Sequence, residues 1–320
     1  MNDIAVIGAG AWGTALAITA ASAGCGVTLW ARDPERAAVL HKTRSNPRLP
    51  GVRLGDGIAI TNTLPAAAIT LLAVPLQHLR AVSARLSGGG VLVVCAKGIE
   101  AGSLCLPLEI LSETQPHSRH AVLTGPNFAH EVARGLPTAA VVAGDDDAVR
   151  QAVIKALARP HFRLYGNADP IGAQIGGAAK NVIAIAAGAA IGAGLGENAR
   201  AALITRGLAE LTGMAVVLGG QPATIAGLSG LGDLLLTCTG ATSRNFSLGV
   251  ALGQGQALGD ILAARSSVAE GVATAPGLVA RASKMGVSLP ICSSVAALVT
   301  GEASIPDMVR SLLARPLKDE

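Results

Sequence analysis

Asp3-Ile4-Ala5-Val6-Ile7-Gly8-Ala9-Gly10-Ala11-Trp12-Gly13 runs from an apolar stretch into three glycines at fixed spacing, and an alanine-rich, helix-forming stretch follows. Strand, tight turn and helix in that order make a dinucleotide-binding fingerprint. Gly8 permits the sharp turn, Gly10 lacks the Cβ that would block a pyrophosphate, and Gly13 lets the helix lie close to the strand. The helix start then presents backbone N–H groups to the anion. In a chain with 40 Gly such spacing also arises by chance; its place directly after a strand pattern gives it weight.

Working outward, short β-branched runs recur at residues 4–7, 27–30, 69–74, 91–95, 121–124 and 139–142, with helical patterns at 12–23, 35–42 and 76–86 between the earlier ones. Strands alternating with helices predict a doubly wound parallel sheet of the Rossmann type. Asp145-Asp146-Asp147 reads as a helix start before 148–157, and 161–165 as a final strand. Past Asp169-Pro170 the strand signal fades into long Ala/Gly/Leu segments at 171–194 and 199–218, then weaker helices. The expected organisation is a dinucleotide-binding domain over 1–170 and a mostly α-helical, substrate-binding domain over 171–320. Glycines inside those helices each cost about 1 kcal/mol unless close packing offsets them, so Gly176-Gly177 beside Lys180 points to a crowded place.

Composition narrows the class. Of 320 residues, 50% are hydrophobic but only 2% aromatic, so the core is built from Ala, Val, Leu and Ile. A net charge of +4 suits an anionic substrate, while 14% charged residues without a Lys/Arg run argue against a nucleic-acid surface. Cys25, Cys95, Cys105, Cys238 and Cys292 are odd in number and widely spaced, the pattern of reduced thiols in a cytoplasmic protein. A strand starting by Ile4 leaves no room for a signal peptide. The longest apolar stretch, 182–196, is Ala- and Gly-rich and shorter than a membrane span, so it reads as an interior helix and no transmembrane segment is expected. His117 and His120 lack a third ligand at suitable spacing, and no metal is expected.

Several residues could carry chemistry. Arg32, after the second strand pattern, could pair with a ribose 2′-phosphate and favour NADP, whereas Asp33 could accept from a ribose hydroxyl or cap the helix that Pro34 begins. Lys97 follows the strand pattern 91–96, at the edge where parallel sheets bind ligands. Lys180 is flanked by apolar helix; a buried ammonium near another cation can titrate toward neutrality and donate a proton to a reduced carbonyl. Ser243-Arg244-Asn245 offers a charged fork with a hydroxyl and an amide, the donors of a phosphate pocket. Asp233 is a second carboxylate of interest or a helix cap, and Gly125-Pro126-Asn127-Phe128-Ala129 a turn able to present backbone donors.

These motifs, with Asn46-Pro47-Arg48-Leu49-Pro50-Gly51, Ala96-Lys97-Gly98, Ala201 to Gly207 and Val268-Ala269-Glu270-Gly271, resemble the bacterial NAD(P)-dependent sn-glycerol-3-phosphate dehydrogenase family over nearly the whole chain. The resemblance implies reduction of dihydroxyacetone phosphate to sn-glycerol 3-phosphate for glycerophospholipid synthesis, with Lys180 as general acid/base. It implies substrate contacts from Lys97, Gly125, Asn127, Asp233, Ser243, Arg244 and Asn245. Gly8, Gly10, Ala11, Trp12, Gly13, Arg32, Lys97, Ala129, Arg244, Val268 and Glu270 are the implied cofactor contacts, with NADPH favoured by Arg32, and a homodimer is a further expectation. Ala11 departs from the family's usual serine and Asn127 from its serine or threonine. The rival readings are another two-domain hydroxyacid or ketopantoate-type dehydrogenase, and a noncatalytic dinucleotide sensor.

Overall fold

The computed structural model describes residues 3–265 and 269–314. The chain divides into two compact units, Met1–Lys97 with Cys105–Gln174, and Gly98–Leu104 with Ile175–Glu320.

In the first unit the apolar runs become strands β1 (Asp3–Ile7), β2 (Gly26–Trp30), β3 (Ile58–Thr61), β4 (Ile69–Leu72), β5 (Val91–Val94), β6 (Arg119–Thr124), β7 (Thr138–Ala143) and β8 (Phe162–Asn167). Among the described residues they form one sheet in the order β3-β2-β1-β4-β5-β6-β7-β8. All four residues of β4 and of β5 are buried, as a sheet covered on both faces requires. Ile4, Val6, Leu29, Leu71, Val93 and Leu123 lie in one core with Leu16 of the helix Ala11–Ser22. From β1 the chain runs outward through β2 to β3, then returns to β4 on the other side. The carboxyl ends of β1 and β4 therefore flank the switch point where open α/β sheets bind ligands.

Two features depart from the sequence expectation. β7 pairs with β6 antiparallel, Thr124 opposite Val141, because the link between them carries only the short helix Ala129–Ala133 and returns without crossing a face of the sheet. The edge strand β3 is also new: four residues with only Ile58 fully buried give too short an alternation to be read. By contrast Asp146 caps the helix Asp147–Leu157 as the acidic run predicts, its Oδ1 accepting from Ala148 N at 2.8 Å.

The second unit is helical. The long helix Pro170–Gly192 starts well before the apolar stretch 182–196 and, at 23 residues, is long and apolar enough to cross a membrane by length and composition. Yet 89% of its most apolar window is buried inside the protein, the situation of a core helix.

Glycines explain how it packs. A Cβ at Gly188 would stand 2.1 Å from Phe246 O, and one at Gly192 2.1 Å from Val250 O. Reciprocally, Cβ atoms at Gly249 and Gly253 would stand 2.1 Å from Ile185 O and 2.3 Å from Ala189 O. Each helix thus offers two glycines four residues apart, and the backbones of Pro170–Gly192 and Arg244–Gly253 meet along that seam.

Candidate active site

In the first unit the glycine turn sits at the switch point. Gly8 has φ +120°, and a Cβ there would meet Ala73 O at 2.8 Å, so both conformation and space demand glycine. A Cβ on Gly13 would stand 1.9 Å from Gly8 O. Gly10 differs: its φ is −74° and nothing lies within 4 Å of where its Cβ would be. The protein itself does not require glycine at 10, but a pyrophosphate approaching the start of the helix Ala11–Ser22 does, and this cradle fits a dinucleotide. Ala11 and Trp12 open that helix and, like Ala129, pack against the sheet core, while Arg32 is exposed just beyond β2. Asp33 caps the next helix, accepting from Glu35 N at 3.0 Å.

Beyond β5 and β6 lies a polar cluster. Lys97 is half-buried and its Nζ donates to Gly125 O at 3.2 Å. Gly125 has φ +124°, and a Cβ there would stand 3.1 Å from Ala140 Cα. Thr124 Oγ1 and both Oδ1 and Nδ2 of Asn127 are buried without a hydrogen-bond partner. Orphaned groups like these cost about 1–3 kcal/mol each, a cost a polar ligand would remove.

The second unit holds a buried ion pair. Lys180 Nζ stands 2.5 Å from Asp233 Oδ1 and donates to Thr237 Oγ1 at 2.9 Å, with the lysine 7% and the aspartate 0% exposed. An anion, Asp233, therefore sits directly against the ammonium. Two local features set this up. Gly176, one turn before Lys180, lets its helix approach so closely that a Cβ would stand 2.4 Å from Ser229 O. Residues Leu228–Gly232 form a π-turn that leads straight into the helix Asp233–Thr239. Asp233 is thus inside the helix, with Gly232 at the cap position. Thr237 lies one turn later on the same face, its hydroxyl also donating to Asp233 O at 2.6 Å. Burial pushes the neighbouring Cys238 thiol up to about 12.

Ser243 caps the helix Arg244–Gly253, its Oγ accepting from Phe246 N at 3.3 Å. Arg244 is exposed at the helix start. Asn245 is buried: its Nδ2 donates to Asn181 Oδ1 at 2.9 Å and its Oδ1 accepts from Gly271 N at 3.0 Å. It thereby ties the residue after Lys180 to the second residue of the helix Glu270–Lys284, which Glu270 opens. Val268 lies outside the described residues.

Sequence reasoning missed Thr237, whose four-residue spacing from Asp233 was the available signal, and Asn181, directly after Lys180. It also missed Arg36, and gave no role to Asn46 of the motif Asn46–Gly51; the two reach the glycine turn from the helix Pro34–Thr43 and the loop after it.

A family model described as NAD-dependent glycerol-3-phosphate dehydrogenase N-terminus matches residues 3–150, and its C-terminal counterpart matches 169–310. A protein of Acidiphilium cryptum named glycerol-3-phosphate dehydrogenase (NAD(P)+) is 56% identical, with 99% of this chain and 98% of the relative covered. Its namesake in Caulobacter vibrioides is 51% identical, with 100% and 99% covered. The crystal structure of glycerol-3-phosphate dehydrogenase from Coxiella burnetii superposes with a TM-score of 0.94 at 35% identity, covering 98% of this chain and 99% of that one. The chain belongs to the NAD-dependent glycerol-3-phosphate dehydrogenase family.

Proposed function

We propose that this protein is an NAD(P)-dependent glycerol-3-phosphate dehydrogenase in which Lys180 is the general acid/base. The observation that carries the catalytic assignment is the buried Lys180–Asp233–Thr237 set. NAD(P)H, when bound, supplies the hydride that reduces C2 of dihydroxyacetone phosphate. Lys180 gives its proton to the alkoxide oxygen that develops at C2, and in the reverse direction takes it from the C2 hydroxyl of glycerol 3-phosphate. Asp233 and Thr237 hold the ammonium in one orientation, so little reorganisation accompanies proton transfer.

The substrate contacts on this reading are Lys97, Gly125, Asn127, Asp233, Ser243, Arg244 and Asn245. Arg244, exposed at a helix start beside the Ser243 hydroxyl, has the chemistry to grip a phosphate. Phosphate held away from the reacting carbon converts binding energy into orientation of C2. The orphaned atoms of Thr124 and Asn127 support a polyol ligand on the Lys97 side.

Gly8, Gly10, Ala11, Trp12, Gly13, Lys97, Ala129, Arg244, Val268 and Glu270 are the cofactor contacts on this reading. Exposed Arg32 favours the 2′-phosphate of NADPH. Residues 1–170 form the dinucleotide-binding domain and 171–320 the substrate domain of the proposed enzyme. It acts in the cytoplasm, as a homodimer, in glycerophospholipid synthesis; family membership alone supports these three points. Another hydroxyacid or ketopantoate-type reductase is disfavoured by the 56% identity across the whole chain.

A substrate panel tests the function. NADPH oxidation is expected with dihydroxyacetone phosphate and not with ketopantoate or other 2-keto acids, and Arg32→Ala should weaken NADPH use far more than NADH use. Turnover of 2-keto acids alone would overturn the assignment.

A further inference from the structure

We infer that Arg36 and Asn46 form a peptide-plane lock on the dinucleotide turn, acting as positioning residues for the pyrophosphate of either cofactor. The inference rests on the cofactor reading above and adds two residues to it. Ala9, between the first two glycines, is buried, and its carbonyl accepts from Asn46 Nδ2 at 3.1 Å and from Arg36 Nη2. Asn46 is 0% exposed and fully engaged: Nδ2 also donates to Thr14 Oγ1 at 2.6 Å, and Oδ1 accepts from Arg48 N at 3.1 Å and Arg36 Nη2 at 3.2 Å. One buried amide therefore joins the glycine turn, the first helix, the arginine of the second helix and the loop after it.

The consequence follows from peptide geometry. In a trans peptide the carbonyl and the next N–H point in opposite directions, so fixing the Ala9 carbonyl also fixes the Gly10 N–H, aimed away from the clamp. Position 11 is alanine and offers no side-chain donor, so the hold on an anion there rests on backbone N–H groups whose orientation must be set by something else. Two donors on one carbonyl set it. Arg36 also keeps a permanent positive charge behind the turn, near enough to Arg48 to be repelled and to Asp33 to be attracted. Its guanidinium is committed to Ala9 and Asn46, which separates its role from that assigned to Arg32.

The test measures dissociation constants of NADPH and NADH for the intact protein by titration, without substrate, in wild type, Arg36→Met and Arg36→Lys. Arg36→Met removes the charge-assisted hydrogen bonds to Ala9 O and Asn46 Oδ1; the one on the Ala9 carbonyl bears on the turn, and its loss predicts that both cofactors weaken by the same factor, about tenfold. Arg36→Lys, which keeps a charged donor, should recover most of it, and the KM for dihydroxyacetone phosphate at saturating NADPH should not move. Should Arg36→Met fail to fold, Arg36→Gln replaces it, with an expected loss between those of the other two. Unchanged affinities overturn the lock, and a loss confined to NADPH overturns it in favour of 2′-phosphate recognition. Wild type that binds neither dinucleotide refutes the cofactor reading itself.

Discussion

Gly10 and Gly13 show how two identical residues in one motif answer to different causes. Gly13 is demanded by the protein, since a Cβ would stand 1.9 Å from the Gly8 carbonyl, whereas the space at Gly10 is open. Gly13→Ala should therefore cost about 4 kcal/mol or more of stability, or prevent folding. Gly10→Ala should shift stability by only about 0.5 kcal/mol and raise the Kd for NADPH more than tenfold; thermal melts with and without NADPH separate the two. Thiols give a second prediction at this scale. Burial raises the Cys95, Cys238 and Cys292 thiols, to about 12 for Cys238. Because thiolate is the reactive form and a raised pKa keeps these groups protonated, they should stay unreactive as pH rises from 7 to 9. A thiol-reactive disulfide reagent should then count two thiols in the native protein, the half-buried Cys25 and Cys105, and five after denaturation. More than two native thiols reacting at pH 8 would contradict this.

At the scale of elements, the seam between the helices Pro170–Gly192 and Arg244–Gly253 brings the phosphate-site candidates to the helix that carries Lys180. Gly249→Ala would force a Cβ to 2.1 Å from Ile185 O, so it should destabilise the protein by about 3 kcal/mol or more, read as a lowered midpoint in urea. A midpoint equal to wild type would mean that the seam is not tight. The glycine fingerprint, the alternating strands and the Asp146 cap are local, and local patterns were legible. The antiparallel turn into β7, the four-residue edge strand β3 and the partner of each helical glycine depend on contacts remote in sequence. The glycines in 171–194 could be read as a sign of close packing, but the second glycine pair that answers them, Gly249 and Gly253, could not be matched to them from spacing alone.

For the whole molecule, residues far apart in sequence acquire meaning only when folded. Lys180 and Asp233 were both singled out by chemistry and by resemblance, yet their 2.5 Å contact, and the part Thr237 plays in it, appear only in three dimensions. Arg36 was legible to neither approach, and Asn46 only as part of a motif without a role, because nothing in a linear sequence ties them to Ala9. In the proposed mechanism the glycine turn cradles the dinucleotide and Lys180 is the buried proton donor. Whether Lys180 moves the proton is decided by kcat for dihydroxyacetone phosphate reduction by Lys180→Ala, with the NADPH Kd determined on the same sample. General acid catalysis of this kind predicts a fall of about 100- to 10,000-fold in kcat with the Kd for NADPH within about twofold of wild type. Near-normal kcat in a folded, cofactor-binding Lys180→Ala protein would contradict it.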